Sequence, residues 1–204
     1  MNNSNLVEKL KVDGFLKMPA IISAFQKIDR ADFVLPQYSN EAYEDYPLPI
    51  GHGQTISQPA TVAFMLELLQ PKNGEKILDI GAGSGWATAL LAEIVGKDGK
   101  VYGLEIIPEL VELGKNNLGK YNFNNAENLL AGEKLGLPPK APFDKILVSA
   151  AAEEIPQELM AQLKIGRGIM VVPVKNSIFK ITRIAEDKFQ AEEFPGFVFV
   201  PLIH

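Results

Sequence analysis

Apolar residues recur at helical spacing in the first 28 residues and predict two short helices. Leu6 and Leu10 are one helical turn apart, and Ile21 and Phe25 repeat that spacing. Pro19 separates the two sets, and proline is well placed at the start of a helix. We expect both helices to pack against the main domain.

The next segment, residues 29–57, is rich in proline, tyrosine, asparagine and aspartate and has no sustained period. A loop of this length in a compact domain is usually functional, so we expect a lid or a binding loop. Pro59 then falls near the first turn of a helix that runs through residues 66–69, with Ser57 or a neighbour positioned to cap it.

From residue 75 onwards, buried strands alternate with amphipathic helices. The predicted strands are 76–80, 100–104, 128–130, 143–149 and 168–173, and the predicted helices are 86–95, 108–118 and 156–163. This alternation indicates parallel strands with right-handed crossovers, so we expect a Rossmann-like, doubly wound α/β sheet with helices on both faces.

The tail follows a different pattern, with alternating apolar positions in residues 177–184, 188–194 and 197–202. We expect three antiparallel strands joined by turns at 186–187 and 195–196. We therefore expect one domain with three parts. Residues 1–57 are a helical and loop addition that forms a lid, residues 58–174 are the cofactor-binding core, and residues 175–204 are the antiparallel strands.

Composition narrows the possible functions. The 204 residues carry a net charge of −5, which argues against a nucleic-acid partner because such proteins usually show a clustered basic face. No apolar stretch is long enough for a membrane span, and the N-terminus lacks the layout of a signal peptide. Zero cysteines and two histidines leave no thiolate or multi-histidine metal site. We expect a cytoplasmic protein, a monomer, with no metal.

Three glycines, Gly81, Gly83 and Gly85, lie between a predicted strand and a predicted helix. Glycine permits a tight turn there and lets a ligand approach the backbone. The next residue, Trp86, would obstruct a pyrophosphate seated on the helix N-terminus, but not a cofactor that carries no phosphate. The alternative is a glycine-rich turn without a ligand.

Two carboxylates flank this turn. Glu105 ends the next predicted strand, where an acidic residue typically accepts hydrogen bonds from ribose hydroxyls; the alternative is a solvated strand-end glutamate. Asp79 ends the strand that precedes the turn and needs donors, which a cationic ligand or the turn itself would supply.

The segment from Asp79 to Gly85 has the E/D-x-G-x-G-x-G form of class I S-adenosylmethionine-dependent methyltransferases. The sequence LPIGHGQTISQP at 48–59 closely resembles the protein-L-isoaspartate (D-aspartate) O-methyltransferase family. Further matches along the chain are DR-x-x-F at 29–33, APFD at 141–144, AAA at 150–152, IP at 155–156, VPV at 172–174 and FVPL at 199–202. The similarity covers nearly the whole chain in the family's order.

The resemblance implies a protein-repair enzyme that moves a methyl group from S-adenosylmethionine to the α-carboxyl of L-isoaspartyl residues in damaged proteins. A carboxylate is ionised at neutral pH and attacks without losing a proton, so the reaction needs no general base. The enzyme's task is to align the reacting groups and exclude water. A chain with few histidines suits that chemistry.

The resemblance also assigns site residues. Ser57 lies beside the reacting groups in the family, and we expect its hydroxyl to orient the acceptor carboxylate or the cofactor, with a helix N-cap as the alternative. The implied cofactor site comprises Gln54, Thr55, Ile56, Ser57, Asp79, Gly81, Gly83, Ser84, Gly85, Glu105, Ile106, Gly132 and Glu133. The implied acceptor site comprises Ile50, His52, Ser57, Val200, Pro201 and Leu202.

The chain departs from the family pattern after the fourth strand of the core. The family usually has Gly-Asp-Gly there, with the aspartate at the adenine end of the cofactor, whereas this chain has Ala131-Gly132-Glu133. Glu133 is one position along, where an extended chain points its side chain the other way. Two other functions stay open: a same-fold methyltransferase with another carboxylate or small-molecule acceptor, and a non-catalytic binding module for damaged chains.

Overall fold

The structure, a computed structural model, describes residues 2–203. Its α-helices are α1 (Asn3–Val12), α2 (Pro19–Lys27), α3 (Pro59–Leu69), α4 (Trp86–Val95), α5 (Pro108–Gly119) and α6 (Gln157–Ala161). Its strands are β1 (Leu48–Gly51), β2 (Gln54–Ile56), β3 (Lys76–Ile80), β4 (Lys100–Glu105), β5 (Ala126–Leu130), β6 (Lys145–Val148), β7 (Gly168–Val174), β8 (Ser177–Ala185) and β9 (Lys188–Pro195). None of the helices described is both long and apolar enough to cross a bilayer.

Seven strands form one sheet in the order β5-β4-β3-β6-β7-β8-β9. The first five of these are parallel, and β8 and β9 continue the sheet antiparallel. The chain moves outward from β3 to β5 and then returns to place β6 on the other side of β3. The connections therefore diverge between β3 and β6, and such a point opens a crevice at the carboxyl ends of the strands.

Consecutive residues of the central strands bury their side chains on opposite faces of the sheet. Ile77 and Val101 belong to the larger apolar cluster, which includes residues of α1 to α5, whereas Leu78 and Tyr102 belong to the cluster that includes residues of α6. Burial on both faces explains why β3 and β6 read as continuous apolar runs. The predicted doubly wound sheet is confirmed.

The N-terminal segment is firmly attached to the core. Phe25 of α2 packs edge-on against the ring of Trp86, with ring centroids 5.5 Å apart. The Tyr121 hydroxyl accepts the Asp29 N–H at 2.9 Å and donates to Asp32 at 2.6 Å. Both predicted helices are present: Phe25 packs α2 against α4, and Asn3 of α1 donates to Phe25 O at 2.8 Å.

The loop predicted for residues 29–57 contains more structure than expected. Short 3-10 helices span Arg30–Phe33 and Pro36–Glu41, and β1 and β2 form a hairpin that the sequence analysis missed. Asp45 accepts the N–H of Ala60 at 2.9 Å and so satisfies a free donor at the start of α3. Gln58, the neighbour of Ser57, is the N-cap residue of α3, and its side chain makes no capping hydrogen bond.

The tail also differs from its prediction. The turn at 186–187 joins β8 to β9 as expected, but β9 ends at Pro195 and the chain then leaves the sheet. The N–H groups of Gly196 and Phe197 bond to Asn176 O, and residues 197–202 form no sheet strand. The third antiparallel strand is therefore absent from residues 2–203, because this segment crosses instead towards the loop after β6.

Candidate active site

A cleft opens at the carboxyl ends of the parallel strands. Its floor comes from the residues that follow β3, β4, β5 and β6, and its sides come from the β1–β2 hairpin and the C-terminal segment. The site residues implied by the resemblance that line it are Ile50, Gln54, Thr55, Ile56, Ser57, Gly81, Gly83, Ser84, Glu105, Ile106, Gly132, Val200, Pro201 and Leu202. Four that do not are His52, Asp79, Gly85 and Glu133.

The glycine turn is fixed to the neighbouring strand. The N–H groups of Gly81 and Ala82 both donate to Leu104 O, at 2.9 and 3.0 Å. Gly85 adopts φ +89°, and a Cβ there would lie 3.3 Å from the backbone of Gly114 in α5. Only glycine combines that backbone conformation with so close an approach of α5. Gly85 therefore shapes the turn from outside the cleft, whereas Gly81 and Gly83 border it.

Glu105 is the residue that braces this turn. Its side chain accepts the N–H of Gly83 at 3.0 Å through Oε2, and those of Ile106 and Ile107 at 2.8 and 3.0 Å through Oε1. The residue is 6% exposed, which excludes the alternative of a solvated glutamate. A carboxylate offers about four lone-pair sites, so three bonds leave one acceptor position on a residue that lines the cleft.

Asp79 lies beneath the turn and is fully buried. Its Oδ2 accepts the Thr88 hydroxyl at 2.6 Å, while Oδ1 has no protein partner. Burial raises the pKa of Asp79 from its ordinary 3.8 to about 6, the Thr88 hydrogen bond opposes that rise, and the negative charge of Glu105 adds to it. The Thr88 hydrogen bond joins the end of β3 to α4 on either side of the turn, and Asp79 does not line the cleft.

The hairpin places Ser57 at the side of the cleft. Leu48 pairs with Ile56 and Pro49 with Thr55, which leaves Ser57 directly after the paired strands. His52 is at the hairpin tip with φ +54°, exposed and away from the cleft. Since Ser57 is not the cap residue of α3, its hydroxyl is not committed to that helix.

The C-terminal segment also borders the cleft. Ala151, in the loop after β6, donates its N–H to Val200 O and accepts the Leu202 N–H, both at 2.8 Å. These two bonds place Val200, Pro201 and Leu202 at the edge of the cleft. They line the cleft without being part of a sheet strand, and their role in acceptor binding stays a prediction.

Gly132 lies where the resemblance predicts an aspartate. A Cβ at this position would meet no atom within 4 Å, so the space for a side chain is present and open. Glu133 is exposed and does not line the cleft, whereas Lys134 does. Among the residues described, the part of the cleft where the resemblance places the adenine therefore has no carboxylate in place of the family's aspartate.

Several lining residues were missed by the sequence analysis. Ser149 and Ala150 follow β6, and Leu135 and Gly136 lie in the loop after β5. The rule that ligands bind at the carboxyl ends of parallel strands would have found the first pair. Trp86 also lines the cleft, with its ring packed towards α2 and Arg30. Within residues 2–203, no cluster of histidine and carboxylate side chains could hold a metal ion.

The cleft at the carboxyl ends of the strands is bordered by the β1–β2 hairpin and by residues 200–202. Comparison with known proteins shows which family has this sequence. The family model for protein-L-isoaspartate (D-aspartate) O-methyltransferase matches residues 1–204. The chain belongs to this family.

Individual members of the protein-L-isoaspartate O-methyltransferase family match along nearly their whole length. The member from Ignicoccus hospitalis is 42% identical over 203 residues, covering 97% of this chain and 95% of its own. The one from Thermococcus onnurineus is 43% identical over 203 residues, covering 97% and 91%. A Plasmodium falciparum protein assigned to the same family, solved in complex with S-adenosyl-L-homocysteine, superimposes with a TM-score of 0.86 at 25% identity over 100% of this chain and 99% of its own.

Proposed function

We propose that this protein transfers a methyl group from S-adenosylmethionine to the α-carboxyl of L-isoaspartyl residues in damaged proteins. One observation carries the proposal. The hairpin ending in Ser57 and the segment 200–202 flank a cleft whose floor is a glycine turn braced by Glu105. The family model, which matches residues 1–204, supports the same activity.

The cleft suits a phosphate-free nucleoside cofactor. The main chain of Gly81 and Gly83 borders it without side chains, and Glu105 keeps an acceptor position towards it. Ile106 is 41% exposed there and offers a flat apolar surface for a purine ring. When bound, S-adenosylmethionine supplies a methyl group activated by its sulfonium charge.

The residues of the chain then orient the acceptor. We assign this role to the Ser57 hydroxyl, which would donate to one oxygen of the acceptor carboxylate while the other attacks the methyl carbon. A carbon–oxygen bond forms, the carbon–sulfur bond breaks, and its electron pair stays on sulfur. No proton leaves the acceptor, so the reaction needs no general base. The charged residues that line the cleft are Glu105 and Lys134, and no histidine among residues 2–203 lines it. Ile50 and Trp86, each 3% exposed, keep the wall apolar and limit the entry of water.

The segment 200–202 is our candidate for the surface that receives the substrate backbone. Main-chain pairing of this kind depends little on sequence, as a repair enzyme requires. Val198 nearby is 88% exposed, so the approach to the segment is open.

The test is a panel of acceptors incubated with methyl-labelled S-adenosylmethionine. We expect label on an isoaspartyl peptide and none on a free dicarboxylic acid. Label on the free acid but not on the peptide would favour a small-molecule methyltransferase. Binding of S-adenosylhomocysteine without label on any acceptor would favour a non-catalytic binding module.

A further inference from the structure

Arg30 is a fully buried charged residue next to the active site, and it does not itself line the cleft. Its Nη1 donates to the carbonyl oxygens of Ala42 at 2.8 Å and Glu44 at 3.2 Å. Its Nη2 donates to those of Tyr46 at 3.0 Å and Ser57 at 3.2 Å. Burial lowers the pKa of Arg30 to about 10, so the guanidinium remains charged at neutral pH.

Two of the groups held by this guanidinium belong to the cleft. Ser57 is held through its own carbonyl oxygen, which constrains the peptide plane after the residue and so the backbone that carries its side chain. The guanidinium carbon of Arg30 lies 5.5 Å from the ring centre of Trp86, within the range of a cation–π contact. The other three carbonyls lie on the loop that leads into β1 and thus into the hairpin.

We propose that Arg30 is a positioning residue for methyl transfer, which holds Ser57 and Trp86 in the geometry that the acceptor requires. The inference rests on the proposed function and adds a residue outside the cleft to it. The planar fork of arginine reaches four carbonyls from two nitrogens, whereas lysine offers three donors from a single point. Charge alone therefore cannot replace Arg30.

The test is Arg30→Lys, with Arg183→Lys as the matched control. Arg183 also donates to main-chain carbonyls, those of Ala161, Leu163 and Glu186, and its guanidinium lies 5.6 Å from the ring centre of Phe189. Its neighbours lie outside the cleft, so the control tests the replacement of arginine by lysine at a remote and less buried place.

For Arg30→Lys we expect kcat on an isoaspartyl peptide to fall by about 10- to 100-fold, because a small misplacement of an aligning group has that effect. The Kd for S-adenosylhomocysteine should change much less than kcat, since Arg30 makes no hydrogen bond to Glu105 or to the glycine turn. Trp86 is the single tryptophan of the chain, so its fluorescence should shift in Arg30→Lys and not in Arg183→Lys.

A double-mutant cycle with Ser57→Ala separates positioning from general stability. If Arg30 acts through Ser57, Arg30→Lys should lower kcat much less in the Ser57→Ala background than in the wild type. Full additivity, or a kcat equal to that of Arg183→Lys, would overturn the proposal. If Arg30→Lys does not fold, Arg30→Gln is measured in the same way. Loss of folding in both variants would assign Arg30 to stability alone and also overturn it. Failure of the proposed function is distinguishable, because the wild type would then not methylate the peptide.

Discussion

Replacing Glu105 by glutamine tests whether one carboxylate both braces the glycine turn and receives the cofactor. The wild-type side chain accepts three main-chain N–H groups, from Gly83, Ile106 and Ile107. Glutamine has one acceptor oxygen and one NH₂ group. If its oxygen keeps the two bonds from Ile106 and Ile107, its NH₂ group faces the N–H of Gly83, and two donors then oppose each other.

The magnitude follows from the bond that is lost. A hydrogen bond to a charged acceptor contributes about 1.5–3 kcal/mol, and the buried donor of Gly83 would be left without a partner. We therefore expect the free energy of unfolding, measured with urea and no ligand, to fall by about 1.5–3 kcal/mol. The remaining acceptor position beside the cleft is lost as well, so the Kd for S-adenosylhomocysteine should rise about tenfold or more.

The matched control is Glu109→Gln, an exposed glutamate in the first turn of α5. It should leave the Kd unchanged and alter stability by less than about 1 kcal/mol, the usual size of a helix-dipole effect. Calorimetric titration measures both proteins under the same conditions. A Kd for Glu105→Gln within about twofold of the wild type would refute the assignment of Glu105 to the cofactor site.

Three further substitutions probe other parts of the site. Gly85→Ala should destabilise by about 2–4 kcal/mol, from left-handed backbone strain and the contact with Gly114, and a loss below about 1 kcal/mol in urea unfolding would contradict that geometry. Asp79 has a pKa raised from 3.8 to about 6, so the folded state holds its proton more tightly and stability falls as pH rises from about 4 through 6. The free energy of unfolding should fall by about 3 kcal/mol at most over this range. Asp79→Asn should remove this pH dependence from urea unfolding curves, and an unchanged pH profile would show that Asp79 is not its source. Gly132→Asp should tighten S-adenosylhomocysteine binding by about 3- to 10-fold, the effect of one hydrogen bond, and weaker binding would show that the open space does not face the adenine end.

The sheet and the glycine turn were predictable because their signals are local. β3, β4 and β6 are buried on both faces and therefore read as apolar runs, and each is followed by a turn and a helix or loop. Glu105 could be placed beside Gly83 because parallel neighbouring strands end at the same edge of the sheet. Its three main-chain bonds were not foreseen, since they depend on how the loop after β4 folds back.

The hairpin and the tail were mispredicted for identifiable reasons. β1 and β2 are only four and three residues long, and the turn between them has positive φ at Gly51, His52 and Gly53. Such short strands give too little alternation to register as a pattern. In the tail, apolar alternation in 197–202 suggested a strand, but its partner is Ala151, which is distant in sequence.

Long-range polar contacts were beyond any local pattern. Asp45 accepts a hydrogen bond from the N–H of Ala60, 15 positions along the chain, and Arg30 donates one to the carbonyl of Ser57, 27 positions along. Neither contact follows from periodicity or motif spacing, because each depends on where the 29–57 segment folds. The position of the α3 cap could be given only as Ser57 or a neighbour for the same reason, and the structure places it at Gln58.

The most direct test of the proposed activity uses two peptides of identical sequence that differ only in one linkage, isoaspartyl in one and normal aspartyl in the other. Initial rates of methyl transfer from labelled S-adenosylmethionine are measured for both, with release of the label by mild base to identify an ester. We expect base-labile label on the isoaspartyl peptide only. Equal labelling of the two peptides, or label on neither, would contradict the assignment of the acceptor.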